Sequence, residues 1–414
     1  MTRNEISLFL AGDALIIRPW SHVRETRFLG LVGEIRAAGV AVANLETVIH
    51  EFKGYAQADS GGTYTASPPQ IAAELKWAGF DMLAHANNHT FDYGTSGVLE
   101  TIEHAEKAGL ILAGSGKDLQ DARAPRYFRC DEGTVSLVSM ASDFVSYGKA
   151  SKSRPDLHGR PGVNPLTVTQ EHRIPMPALI ASPFRAVARR IGLKRSFVER
   201  ASSRLGVRFH SVARMESADL QANLDAVAEG ASKADVVVAS IHAHRQGAWL
   251  GKFARQTIER GAGVVFVHGP HHVRGIELYR GKPIFYSMGN FVYETEHITR
   301  FPAETYERLG LAPDATLSDL QRVRDELPTG LLRERQTFEG FVASISFSVG
   351  KVTGIRLIPT DLQFDSDGES RGRPQLASPE LGRRILQRVA GHSREYGTQI
   401  SYEPGDNCGH VVLD

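Results

Sequence analysis

Cysteine is scarce in this chain of 414 residues: only Cys130 and Cys408 occur, too few and too far apart for a disulfide framework or a thiolate metal site. Charge of one sign is missing too, with 48 Lys and Arg against 47 Asp and Glu, so no global field points to nucleic acid or to a membrane surface. No stretch approaches the roughly 20 apolar residues of a membrane span. The opening segment "MTRNEISLFLAGDALIIRPW" carries Glu5 and Asp13 within and beside its apolar run, which leaves no continuous signal-peptide core. These absences predict a cytoplasmic enzyme or binding protein whose partners include neither nucleic acid nor a membrane. What is present is ordinary globular composition, 42% hydrophobic and 23% charged, on a chain long enough for a large core.

Short apolar runs alternate with helical patterns, the signature of an α/β protein. Strands are predicted at "ISLFLAG" before Asp13, "VAVANLE" ending at Glu46, "FDMLAHA" before Asn87, "LILAG", "TVSLVSMAS", "DVVVASI" before His242, "GVVFV" before His268 and "PIFYSM" before Gly289. "FVASISFSVG" and "KVTGIRLIPT" alternate more strictly and read as an antiparallel hairpin meeting at a Gly-Lys turn. Residues 1–370 are expected to form one catalytic domain, interrupted at 146–210 by a basic, Pro- and Arg-rich insertion and at 295–339 by a helical one. Residues 371–414 read as a C-terminal helix and loose tail. Within the first insertion "FRAVARRIGLKRSFVERASSRL" has the spacing of an amphipathic basic helix, either packed on the core with a solvated cationic face or presented to an acidic partner.

Almost every predicted strand ends in a group capable of chemistry. Collected, these are Asp13, Asn44, Glu46, Asn87, Asn88, His89, His242, His244, His268, His271 and His272. One buried histidine is ordinarily satisfied by a backbone carbonyl; a set of imidazoles and carboxylates at several strand ends suits one or two divalent cations such as Zn, Mn, Fe or Ca. In open α/β sheets, ligands collect outside the carboxyl ends of strands.

The pieces "LFLAGD", "ANLET", "YTASPPQIAAELKWAGFDMLAHANNHTFDYG", "GSGKDLQDARAP", "SIHAH" and "HGPHHVRGIELYRGKPIFYSMGNFVY" resemble, in order, the motifs of the CapA family, the poly-γ-glutamate capsule-synthesis proteins of the calcineurin-like metallophosphoesterase superfamily. The resemblance implies a four-layer α/β/β/α sandwich with a metal site at the strand ends. It makes Glu46, Asn88, His242, His268 and His271 metal ligands, with Asp13 open between ligand and base, His89 a hydrogen-bonding or acid partner, and Asp92 and Asn44 groups that orient their neighbours. His244, Arg274, Trp20 and Asn87 are the expected substrate contacts, and Ser287 and Asn290 are read as holding a turn. Two departures count against phosphoester hydrolysis. The first motif reads Asp13-Ala14-Leu15 where the superfamily has Asp-x-His, and the second reads Asn-Leu-Glu where a phosphatase has a Gly-Asp pair.

If Glu46, Asn88 and three histidines suffice for the cation, Asp13 is free to take a proton, and His297 in "NFVYETEHITR" stands ready beyond another strand end. An acid/base pair flanking a substrate whose developing charge is stabilised can invert a Cα centre. The chain is similar to the branch of CapA-like proteins that epimerise the C-terminal residue of a ribosomal lasso-peptide precursor, so a peptide substrate is expected. The competing expectation is a metal-dependent hydrolase or transferase acting on a phosphoester or amide bond in poly-γ-glutamate or cell-envelope metabolism; a third is a metal-stabilised scaffold without turnover.

Overall fold

The computed structural model describes residues 5–173, 210–327, 330–366 and 368–413. The basic helix expected from Phe184 onward lies outside the described residues. Two large sheets dominate. The first has the strand order Ile400–Glu403, Cys408–Val411, Lys351–Asp361, Glu339–Ser348, Ile6–Leu15, Val40–Leu45, Met82–Ala84 and Ile111–Ala113, with Asn290–Tyr293 added alongside the end of Ile6–Leu15 and Gln375–Leu376 alongside Lys351–Asp361. The second runs Ile276–Tyr279, Lys282–Phe285, Val264–His268, Val236–His242, Gly133–Ala141 and Arg126–Cys130.

The parallel strands explain themselves. "VAVANL", "VVVASIH" and "VVFVH" are buried at every position, and a strand covered on both faces needs an unbroken apolar run rather than an alternating one. Leu8, Leu10, Val40, Val42 and Met82 of the first sheet share one apolar cluster with Leu137, Val236, Val238, Val264 and Phe266 of the second. Phe9, Ala41 and Leu83 instead meet Phe28 and Leu31 of helix Thr26–Arg36 and Leu75 of helix Gln70–Ala78. Ala239, Ile241 and Val265 likewise meet Val227 of helix Ser217–Lys233 and Phe253 of helix Ala248–Glu259. The chain is thus a mixed α/β protein, as its alternating pattern implies.

The hairpin forms between Glu339–Ser348 and Lys351–Asp361, closed by Val349 and Gly350, both at positive φ. That pair of conformations matches the right-handed twist of the flanking strands. The tail departs from expectation. After helix Pro379–Ser393, Ile400–Glu403 and Cys408–Val411 pair with each other, and the latter joins Lys351–Asp361, so this segment extends the first sheet instead of trailing loosely. Its short strands carry no long periodic signal and are stabilised by a sheet edge that needs covering. In the 146–210 segment, Val168–Arg173 and His210–Met215 form an antiparallel pair. The described residues of the 295–339 segment contain helices Ala303–Arg308 and Leu317–Glu326 and three 3₁₀ turns, Thr295–His297, Leu331–Arg333 and Arg335–Phe338. Among the described residues no helix is long and apolar enough to cross a membrane.

Candidate metal centre and cleft

The carboxyl ends of parallel strands from both sheets meet at one place. Strands Ile6–Leu15 and Val40–Leu45 deliver Asp13 and, one residue past the second, Glu46; Val236–His242 and Val264–His268 deliver His242 and His268, which are direct partners in register. The loop after Val264–His268 turns back through Gly269, at φ +107, and His271, at φ +60. A Cβ at position 269 would lie 3.1 Å from His242 Nε2, so only glycine fits both the backbone and the neighbour. His271 has no such licence: a left-handed non-glycine residue is strained, and strain of this kind persists where the surroundings dictate it. A similar crowding fixes Gly12, whose Cβ would fall 2.0 Å from the Gly289 carbonyl.

Two donor groups result. Asp13, His242 and His268 form one; Glu46, His244 and His271 form the other; within each, one ligand atom per residue lies within 4.8 Å of the rest. The groups interlock. His271 Nδ1 is 3.4 Å from Asp13 and its Nε2 3.9 Å from Glu46, while His242 Nε2 is 3.7 Å from Glu46 and 3.0 Å from His244 Nε2. Asp13 accepts hydrogen bonds from Asn44 Nδ2 at 2.8 Å and the Gly269 amide at 3.1 Å.

The residues fit a divalent cation. Both oxygens of Glu46 and the Asn88 Oδ1 are buried acceptors to which no donor is directed, and burying such groups without a partner costs several kcal/mol. The imidazoles are held neutral, as ligands must be. Burial pulls His242 and His268 well below 6.5 and brings His244 and His271 to about 4. Burial also raises Asp13 from 3.8 to about 6 and, helped by the adjacent Asp13 charge, lifts Glu46 well above 4.5.

The signs give a pH prediction for the cation-free protein. A depressed imidazole contributes stability present above 6.5 and lost as pH falls toward 4; Asp13, raised, contributes stability present below about 4 and lost as pH rises through 6, and raised Glu46 acts in the same direction. Four centre histidines, together with His85, also near 4, oppose two carboxylates. The histidines therefore win, and the melting temperature without cation should fall as pH is lowered from 7 to 5. Cation uptake at pH 6 should release protons, chiefly from Glu46 and Asp13, a release that calorimetry in buffers of differing ionisation enthalpy reads directly.

Around this centre the remaining expected residues take distinct places. Asn88 Nδ2 donates to the Gly61 carbonyl, leaving its oxygen toward the cleft. His89 Nδ1 lies 2.8 Å from Asp92 Oδ2, which also accepts the Thr65 amide; the carboxylate accepts, so Nδ1 carries the proton and Nε2 is the free basic nitrogen. Asn87 is spent within the chain, donating to the Leu45 carbonyl and accepting from the His89 amide. Trp20 packs edge-on against Phe28 and Phe291 in the core. Arg274 lines the cleft. His297 is not among the cleft's lining residues; its Nε2 meets the Arg371 carbonyl at 3.3 Å, in a corner with Arg18 and Glu294. His272 points away, to Glu334 and Thr337.

Three features depart from the reading of the sequence. His244, collected with the strand-end donors but expected to contact substrate, stands with Glu46 and His271 as a possible cation donor. The loop carrying Gly61 and Gly62 covers Asn88 and His89. Asn290 does more than hold a turn: its Oδ1 lies 2.8 Å from His271 Nδ1 and its Nδ2 donates to the Thr337 carbonyl. It thereby fixes the proton on Nδ1 and turns Nε2 toward Glu46, the kind of support metal ligands need. Asn290→Ala should weaken cation binding by about 10- to 100-fold, measured by titration calorimetry, with the fold intact by circular dichroism.

Above the donors opens a cleft of about 540 Å³. Its floor includes Asn88, His89, His244 and His271, and Leu15 lines it as well. Arg274, Arg324 and Arg333 bring positive charge to the walls, and Leu327, Leu331 and Leu332 an apolar side.

The model of the bacterial capsule synthesis protein PGA_cap family matches residues 7–295. The chain belongs to that family. Proteins y4sH and y4uA of Sinorhizobium fredii NGR234 are each 31% identical to it, over 98% of this chain and 93% of theirs. The PGA biosynthesis protein CapA of Bacillus subtilis is 25% identical over 70% of this chain and 63% of its own length. A probable polyglutamine synthesis accessory protein of Mycobacterium tuberculosis is 27% identical over 64% and 58%.

Proposed function

We propose that this protein is a metal-dependent epimerase, built on the four-layer sandwich of the metallophosphoesterases, that inverts the Cα of the C-terminal residue of a ribosomally made peptide such as a lasso-peptide precursor in the cytoplasm. One observation carries the reading: Glu46, His244 and His271 make a donor set that does not include Asp13, and His244 and His271 line the cleft together with Asn88, whose buried oxygen has no hydrogen-bond partner. A divalent cation bound there supplies positive charge that lowers the cost of negative charge on a carboxylate or carbonyl oxygen. The arginines draw in the anionic end of the substrate, and the three leucines receive an apolar side chain.

Asp13, adjacent to His271 and shielded from solvent, is the group on one side of Cα. His297 is the group on the other. Because the Arg371 carbonyl can only accept, His297 carries its proton on Nε2 and keeps Nδ1 as the basic nitrogen. One residue takes the Cα proton, the electron pair moves onto the neighbouring carboxylate, and the other residue returns a proton to the opposite face. The reading requires the Thr295–His297 turn, whose Thr295 already lines the cleft, to bring His297 inward when peptide binds.

The His89–Asp92 pair favours a second reading. An oriented imidazole at the cleft wall is what protonation of a leaving group needs, so hydrolysis or transfer at a phosphoester or amide bond in poly-γ-glutamate or cell-envelope metabolism is the alternative. Incubating the cation-loaded protein with candidate peptides in heavy water separates the two. Epimerisation adds one mass unit at a single Cα and leaves chain length unchanged; hydrolysis gives a shorter peptide or free phosphate and no Cα label.

A further inference from the structure

A second cavity, of about 770 Å³, opens on the other side of Arg274. It lies between helix Ala248–Glu259 and the segment that carries His392 and Tyr396. Arg274 lines both spaces, so the two adjoin at that side chain. Its volume falls within the ~300–1,000 Å³ of spaces that enclose sizeable ligands.

Part of its lining is uncommitted. Among the described residues, neither the Arg274 guanidinium nor the Lys252 ammonium takes part in a hydrogen bond or ion pair. Gln256 Oε1 is a buried acceptor without a donor. Other charges here are already paired: Arg255 with Glu277, Glu259 with Arg280. Gly251 keeps the helix face low, since a Cβ there would come within 3.2 Å of the Tyr286 hydroxyl, and Tyr286 stacks on Tyr396 at 4.8 Å to form an aromatic wall. An unpaired acceptor, two free cations and an aromatic wall are complementary to a polypeptide: backbone N–H to Gln256, carbonyl or carboxylate oxygens to Lys252 and Arg274.

We propose that this cavity binds the stretch of peptide immediately N-terminal to the reacting residue, with an acidic side chain at Lys252 and the chain passing over Arg274 into the cleft. The inference rests on the peptide reading of the cleft. It assigns selectivity to a site that never touches the reacting atoms.

The test uses two fluorescein-labelled synthetic peptides with the same last three residues, ending in leucine. One stops there; the other extends five residues further and carries two glutamates. Fluorescence anisotropy on the cation-loaded protein should show the longer peptide binding at least tenfold tighter. Lys252→Glu should remove most of that gain and leave the tripeptide unchanged, and Gln256→Ala should remove part of it. Equal affinity for both peptides, or a gain untouched by either substitution, would overturn the proposal. Because affinity is read without turnover, a normal gain without Cα deuteration counts against the epimerase reading alone, and deuteration without a gain counts against the cavity alone.

Discussion

Glutamine in place of Glu46 should erase the protein's response to divalent cations. In the wild type, cation at 100 times its dissociation constant adds about 2.7 kcal/mol to stability, a rise of roughly 3 °C in melting temperature for a chain this large. Glu46→Gln keeps the shape and removes the charge from a carboxylate that has no protein donor. Without cation the variant should therefore be as stable as the wild type or more so, because burial already opposes that charge. With cation it should gain nothing. Thermal melts of both proteins with and without Mn²⁺ give the four numbers needed. A variant destabilised without cation would mean that Glu46 serves the fold, not a ligand.

Asp13→Asn has the largest expected effect on chemistry. General acid/base groups contribute about 10²- to 10⁴-fold, so Cα deuterium exchange in heavy water should fall by that factor. Cation binding should persist, because the Glu46 group does not need Asp13. The change also removes a charge whose net cost, burial less the Asn44 and Gly269 hydrogen bonds, raises the carboxyl from 3.8 to about 6, worth about 3 kcal/mol near neutral pH. A cation affinity that collapses along with exchange would instead make Asp13 a ligand. His297→Gln completes the comparison: loss of exchange with unchanged cation affinity places it with Asp13, and no effect removes it from the mechanism.

Much of the fold is legible in the sequence because parallel, doubly covered strands write themselves as unbroken apolar runs. "VVVASIH" and "VVFVH" leave little choice of assignment, and the polar residue closing each run stands at a strand's carboxyl end. For that reason Asp13, Glu46, His242 and His268 stand out from the amino-acid order alone. The rest depends on contacts distant in sequence. Asn290–Tyr293 becomes a strand only by lying against the end of Ile6–Leu15. The tail strands exist because the Lys351–Asp361 edge is there to pair with. Asn290 supports His271 across 19 residues and a strained turn, and nothing local distinguishes it from an ordinary turn residue. His244 follows His242 by two positions, an interval that in a continuing strand would place both on one face. Instead the strand ends at His242, and the Asp143 carboxylate accepts the His244 amide and sets where its ring goes. Part of the cleft wall comes from the 295–339 segment, whose polar, helical sequence gives no sign of what it overhangs.

Everything proposed for the chemistry depends on these donors gathering around a cation. Crystals soaked in Mn²⁺ and measured for anomalous scattering test this most directly. The expected result is a peak at coordination distance, about 2.0–2.3 Å, from Glu46, His244 and His271, with the Asn88 oxygen beside it, and the same peak missing in Glu46→Gln crystals. A map with no peak among these residues, with Glu46 instead hydrogen-bonded to protein or water, would contradict it.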